Sequence, residues 1–162
     1  MDAVPIVTRV NGHTVRVAVE PRRLLVELLR DELGLTGTKV SCAVQVCGVC
    51  TVLVDGLPVS ACTYLAVDVD GCEVTTVEGL ARGGQLSAVQ RAFVEQSALQ
   101  CGFCTPGFVV SVTALLADNP TPDEQEAREY LEGNLCRCTG YVQILAAVQR
   151  AAALAGEEAV GG

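Results

Sequence analysis

An α+β fold is predicted for this chain of 162 residues, and three observations predict it. In the first half, β-branched residues alternate on either side of two Xaa-Gly turns. In the second half that alternation disappears and apolar residues recur at helical spacing. Eight of the nine cysteines stand in spaced sets, four in each half, and 50% of the residues are hydrophobic, enough for a packed core and against disorder.

Taken in order, Ile6 to Val10, the pair Asn11-Gly12 and the alternating Val15, Val17 and Val19 predict a β-hairpin, because Asn-Gly is the preferred pair for a two-residue turn. After Pro21, Leu24, Leu25, Leu28 and Leu29 lie on one helical face with Glu27, Arg30 and Asp31 between them, and Gly34 is the expected stop. A second hairpin is expected in Thr51 to Val54, Asp55-Gly56 and Pro58 to Ala61, and a last short strand near Val74 to Val77. Two hairpins and a helix make an α+β domain of residues 1–78.

Gly79 and the stretch Arg82-Gly83-Gly84 mark a boundary, and residues 79–162 read as a small helical bundle. Its apolar stripes are Leu86, Val89 and Phe93; Phe108, Val112, Leu115 and Leu116; and Val142, Leu145 and Val148. Thr105-Pro106 and Thr121-Pro122 each supply an N-cap followed by proline, and Glu124 would complete a capping box with Thr121. The Ala-rich tail ending in Gly161-Gly162 is expected to fray, and neither an internal repeat nor a low-complexity segment is present.

A net charge of -8 with 11 Lys plus Arg excludes a nucleic-acid backbone as partner and gives no basic footprint for an anionic membrane. No basic n-region with an apolar stretch follows Met1, and no run of about 18 apolar residues occurs. A soluble, cytoplasmic chain is expected, and in a reducing compartment nine cysteines point to metal rather than to disulfides.

Cys42, Cys47 and Cys50 form C-x4-C-x2-C with Cys62 beyond, the spacing of plant-type [2Fe-2S] sites. Three thiolates from one short loop demand a backbone that curls around the cluster, which suits Gly48. A buried structural cysteine cluster and a zinc site are the bland alternatives. The second set, Cys101-x2-Cys104 and Cys136-x-Cys138, lies on loops before expected helix starts, where the helix N-terminus favours thiolate. Spacing alone leaves this set open between an iron-sulfur cluster and one tetrahedral Zn2+.

Cys72 has no partner at ligand spacing and reads as an ordinary small side chain, and His13 beside the first turn reads as a surface residue. No Ser/His/Asp, Cys/His or paired-carboxylate constellation can be assembled, so the chain by itself is expected to be non-catalytic.

The strings Gly37-Thr38-Lys39, Cys47-Gly48-Val49-Cys50-Thr51-Val52, Gln100-Cys101-Gly102-Phe103-Cys104-Thr105-Pro106-Gly107 and Gly133-Asn134-Leu135-Cys136-Arg137-Cys138-Thr139-Gly140-Tyr141 together resemble the iron-sulfur subunit of xanthine dehydrogenase-type molybdenum hydroxylases. That family includes aldehyde oxidoreductases, aerobic carbon monoxide dehydrogenases and N-heterocycle dehydrogenases. The resemblance implies a β-grasp ferredoxin-like domain holding one [2Fe-2S] cluster on Cys42, Cys47, Cys50 and Cys62. It implies a four-helix-bundle domain holding a second on Cys101, Cys104, Cys136 and Cys138, with Gln100 and Cys138 near the molybdopterin. One departure stands in the first loop, where the family often has glycines and this chain has Ser41, Ala43 and Gln45. The shape of that loop and its hydrogen bonds to sulfur are therefore left open, and Arg137 is given no role.

By the same resemblance, molybdopterin in its cytosine dinucleotide form belongs to a large partner subunit and FAD to a medium one, assembled as a heterotrimer or a dimer of heterotrimers. This chain would relay electrons from the molybdopterin centre to the FAD. A chain of 162 residues has no room for either domain beyond its two cluster modules. The rival readings are a free-standing ferredoxin-like carrier and a one-cluster module joined to a zinc-stapled interaction domain.

Overall fold

A computed structural model describes residues 2–161. Strands β1 (Val4–Val10) and β2 (His13–Val19) form the first hairpin, paired from Val4 with Val19 to Val10 with His13. Its turn holds Asn11 at φ 51° and Gly12 at φ 82°, the two left-handed positions that an Asn-Gly pair accepts at little cost. Strands β3 (Thr51–Val54) and β4 (Leu57–Ser60) repeat the device around Asp55 and Gly56, at φ 49° and 83°.

A short β5 (Glu73–Thr75) joins the hairpins into one mixed sheet of order β2-β1-β5-β3-β4, parallel to β1 and antiparallel to β3. The strand expected at Val74 to Val77 thus ends two residues early. Thr76 leaves the sheet to bond the Asn11 side chain, accepting from Nδ2 and donating its N–H to Oδ1, each at 2.9 Å, and Val77–Leu80 then form a 3-10 turn.

Helix α1 (Leu25–Glu27) continues as a π-helical turn over Leu28–Glu32, and Gly34 at φ 69° follows as the expected stop. Its Leu25, Leu28 and Leu29 are fully buried against one face of the sheet, with Ile6, Val52 and Val74. On β3 the pleat sends Val52 and Val54 into that core. Leu53 points the opposite way, onto Val110 and Ala114 of a helix from the second half. This is why all four residues of β3 are buried.

The second half holds α2 (Ala88–Glu95), α3 (Thr105–Asp118), α4 (Glu124–Tyr130) and α5 (Val142–Gly161) around a core that includes Phe93, Phe108, Val112, Leu131, Ile144 and Val148. Several expected ends shift. Cys104, not Thr105, is the N-cap of α3. Asp123, not Thr121, caps α4, in a capping box with Glu126 rather than Glu124, because the Asp123 carboxylate accepts the Glu126 N–H at 2.8 Å. Leu86 lies before the Ser87 cap of α2 and Val142 opens α5, so both are exposed and do not join their stripes. The tail expected to fray is helical to Gly161, and Gly162 lies outside the described residues. No helix among the described residues is long and apolar enough to cross a membrane.

Candidate metal centres

The first cysteine loop leaves α1 and returns into β3. Cys42 is half-buried at its outer end, and Cys47 and Cys50 are buried at its inner end. Cys62 is buried just after β4, so the β3-β4 hairpin folds it back beside Cys50. The loop takes its curl without the expected glycines: Ala43 and Gln45 adopt φ 55° and 59°, in the left-handed region that costs a non-glycine residue about 1–2 kcal/mol. The result turns the Val44 and Val46 N–H groups onto Cys42 Sγ, at 3.5 and 3.4 Å. Those two donors, followed by Cys47, hold the Cys42 thiol down at about 6. Burial pushes Cys50 up to about 12.

The second set brings together the α2-α3 connection and the loop before α5. Cys101 and Cys138 are exposed, with their sulfurs 3.6 Å apart, and Cys104 and Cys136 lie deeper and bond each other. Burial, then the neighbouring Cys136, pushes Cys104 up to about 12. Burial acts upward on Cys136, but the Thr139 hydroxyl and N–H, at 3.2 and 3.4 Å from its sulfur, together with the Cys138 N–H and the Cys104 side chain, outweigh it and lower the thiol. The bond to Cys101 raises Cys138.

Both sets therefore present four sulfurs as two pairs: Cys42 with Cys47, Cys50 with Cys62, Cys104 with Cys136 and Cys101 with Cys138. Among the described residues no three thiol, imidazole or carboxylate side chains converge on one point as a mononuclear ion requires. Two-and-two is the demand of a dinuclear cluster, in which each iron takes two thiolates. The donor set and its N–H bonds to sulfur fit such a group.

The two sets are tied to each other. Leu135, the neighbour of Cys136, donates its N–H to the Cys47 carbonyl at 2.9 Å, and buried Asn134 donates Nδ2–H to the Gly48 carbonyl at 3.1 Å. The approach is possible only because two residues lack side chains. A Cβ on Gly107 would fall on the Gly48 carbonyl, and one on Gly48 would strike Gly133 and Asn134.

Gln100 is exposed beside Cys101, at the open end of the second set with Cys138. Cys72 belongs to neither cysteine loop and packs on the outside of the sheet core. Burial, then Asp55 and Asp70, raises its thiol, and its sulfur faces the Asp68 and Asp70 carbonyls. His13 is exposed at the start of β2 and Arg137 is exposed between its cysteines. The sequence alone singles out no individual role for Asn134, Thr139 or Tyr141. The only available signal was their adjacency to the Cys-x-Cys pair.

An α+β sheet module and a helical module, each with four cysteines grouped as two pairs, fit an iron-sulfur protein of the ferredoxin-like class. Residues 8–79 match the family model described as "2Fe-2S iron-sulfur cluster binding domain", and residues 76–149 match "[2Fe-2S] binding domain". The chain belongs to the iron-sulfur subunits of the xanthine dehydrogenase-type molybdenum hydroxylases. It is 51% identical over 148 residues to the beta subunit of the 6-hydroxypseudooxynicotine dehydrogenase complex of Paenarthrobacter nicotinovorans, covering 91% of this chain and 92% of that one. It is 46% identical to the xanthine dehydrogenase iron-sulfur-binding subunit of Escherichia coli O157:H7, covering 89% and 91%. Its fold superposes on a chain of quinoline 2-oxidoreductase from Pseudomonas putida 86 with TM-score 0.92 and 45% identity, over 97% of this chain and 98% of that one. It also superposes on the aldehyde oxidoreductase of Desulfovibrio gigas, with TM-score 0.91 and 40% identity, over 96% of this chain but 17% of that one.

Proposed function

We propose that this chain is the electron-transfer subunit of a molybdenum-containing hydroxylase or dehydrogenase, in which electrons leaving a molybdopterin centre reach FAD on a partner by way of two [2Fe-2S] clusters held here. The observation that carries the proposal is the Leu135 N–H to Cys47 C=O bond, which joins a residue next to one cysteine set to a cysteine of the other. Two redox groups gripped by separate domains exchange electrons efficiently only at a short, fixed separation, and this bond, with the glycine contact at Gly48 and Gly107, holds the two loops together.

In this reading Cys42, Cys47, Cys50 and Cys62 ligate one cluster, and Cys101, Cys104, Cys136 and Cys138 the other. The domain boundary is taken at 78/79, and the four helices of residues 79–162 act as a bundle around the second site. Gln100 and Cys138 face the molybdopterin, since they share the exposed end of that site. The chain works in a reducing cytoplasm, which keeps the ligand thiols available.

The partners are a large molybdopterin-binding subunit and a medium FAD-binding subunit, as a heterotrimer or its dimer. The cytosine dinucleotide form of the pterin follows from the family resemblance. Relatives that are themselves subunits, such as the beta subunit of the 6-hydroxypseudooxynicotine dehydrogenase complex, 92% of which this chain covers, support the reading that the remaining parts are carried by separate chains. The zinc-stapled rival is disfavoured by the [2Fe-2S] family match of the helical half, and the free carrier by relatives that are subunits of complexes. Purification of the tagged chain from its native cells tests the proposal. The expected result is two larger chains in equal stoichiometry, one carrying flavin and one molybdenum. A lone monomer that retains its iron would contradict it.

A further inference from the structure

Among the described residues Thr139 contributes the one side-chain hydroxyl that hydrogen-bonds a cysteine sulfur of either set, reaching Cys136 Sγ at 3.2 Å. Its orientation is determined. A hydroxyl has one proton and two lone pairs, and the Tyr141 N–H donates to the Thr139 oxygen at 3.2 Å. With the oxygen engaged as acceptor there, the single proton is left for the sulfur.

Tyr141 is itself held in an uncommon conformation for an aromatic residue, φ 70°, directly after Gly140 at φ 67°. Its ring stands edge-on to Phe108 in the helical core, and its phenol oxygen accepts the Cys136 N–H at 2.9 Å. The loop from Cys136 to Tyr141 is thereby closed on itself, with Thr139 N–H and O–H both on one sulfur.

We propose that Thr139, positioned by Tyr141, sets the reduction potential of the helical-domain cluster through its O–H bond to Cys136 Sγ. The inference rests on the two-cluster reading above. One-electron reduction adds one negative charge to the cluster and its thiolates, and a donor to sulfur stabilises the more negative state. The hydroxyl therefore raises the potential of this cluster and leaves the other, whose Cys42 receives the Val44 and Val46 N–H groups, unchanged.

The test is an EPR-monitored redox titration of the complete enzyme complex carrying T139V, T139A or T139S, with iron counted per chain. A C136S variant, whose altered signal marks the cluster this cysteine holds, assigns the two spectra. Removing the hydroxyl in T139V is expected to lower the potential of the helical-domain cluster by about a tenfold change in its one-electron equilibrium, about 59 mV. T139S is expected to stay near the wild-type value, and the second signal to stay fixed in all variants. T139A keeps the measurement available should the valine impair loading.

An unchanged potential in fully loaded T139V or T139A would overturn the inference while leaving the relay intact. Loss of the cluster in both would also overturn it, since the hydroxyl would then act in assembly. A wild-type complex that holds only one cluster would instead overturn the reading on which the inference depends.

Discussion

At the scale of single residues the centres are built from thiols held in opposite protonation tendencies. Cys42 is poised as a thiolate, at about 6, while Cys50 and Cys104 are pushed up to about 12 by burial. A thiol that becomes a metal ligand loses its proton to solvent as the metal takes its place, so loading releases protons. The sign follows: both groups stay protonated through neutral pH in the metal-free chain, and raising the pH lowers the cost of removing those protons. Reconstitution of metal-free chain with iron and sulfide is therefore expected to become more favourable from pH 7 to pH 9, as followed by the growth of visible absorbance. A yield independent of pH, or one that falls before the chain unfolds, would contradict it.

At the scale of elements, what was legible in the sequence was what local chemistry determines. Asn11-Gly12 and Asp55-Gly56 specified two hairpins because few other pairs accept two left-handed residues, and the leucines after Pro21 specified a helix. What long-range contact decides was not legible. The end of β5 is determined by Asn11 reaching across from the β1-β2 turn, and the burial of Leu53 by a helix from the other half. The cap of α4 moved to Asp123 because two capping boxes were open locally, and Thr121 lost to a residue two positions closer to the helix. In the first cysteine loop the missing glycines left the backbone undetermined. The structure keeps the curl by straining Ala43 and Gln45, because the Val44 and Val46 N–H groups are needed at Cys42. Ala43→Gly relieves about 1–2 kcal/mol of steric strain and costs about 0.5–1 kcal/mol in chain entropy. It is expected to raise the thermal midpoint of the loaded chain by about 1–4 °C. Ala43→Val, β-branched in a left-handed position, is expected to lower it, and the reverse order would argue against the strained loop.

At the scale of the whole molecule, two cores, one around α1 and the sheet and one around the helices, meet over Leu53, Val110 and Ala114 and over the glycine contact beside the cysteine loops. The candidate ligands were all legible because spacing along the chain survives folding. Their grouping as two sulfur pairs per site was not, because it depends on which loops the fold brings together. The measurement that tests the central claim most directly is iron, acid-labile sulfide and zinc per chain, with EPR of the reduced protein. The expected result is about four irons, about four sulfides, no zinc and two distinct rhombic signals. About two irons with one zinc and a single signal would contradict the account.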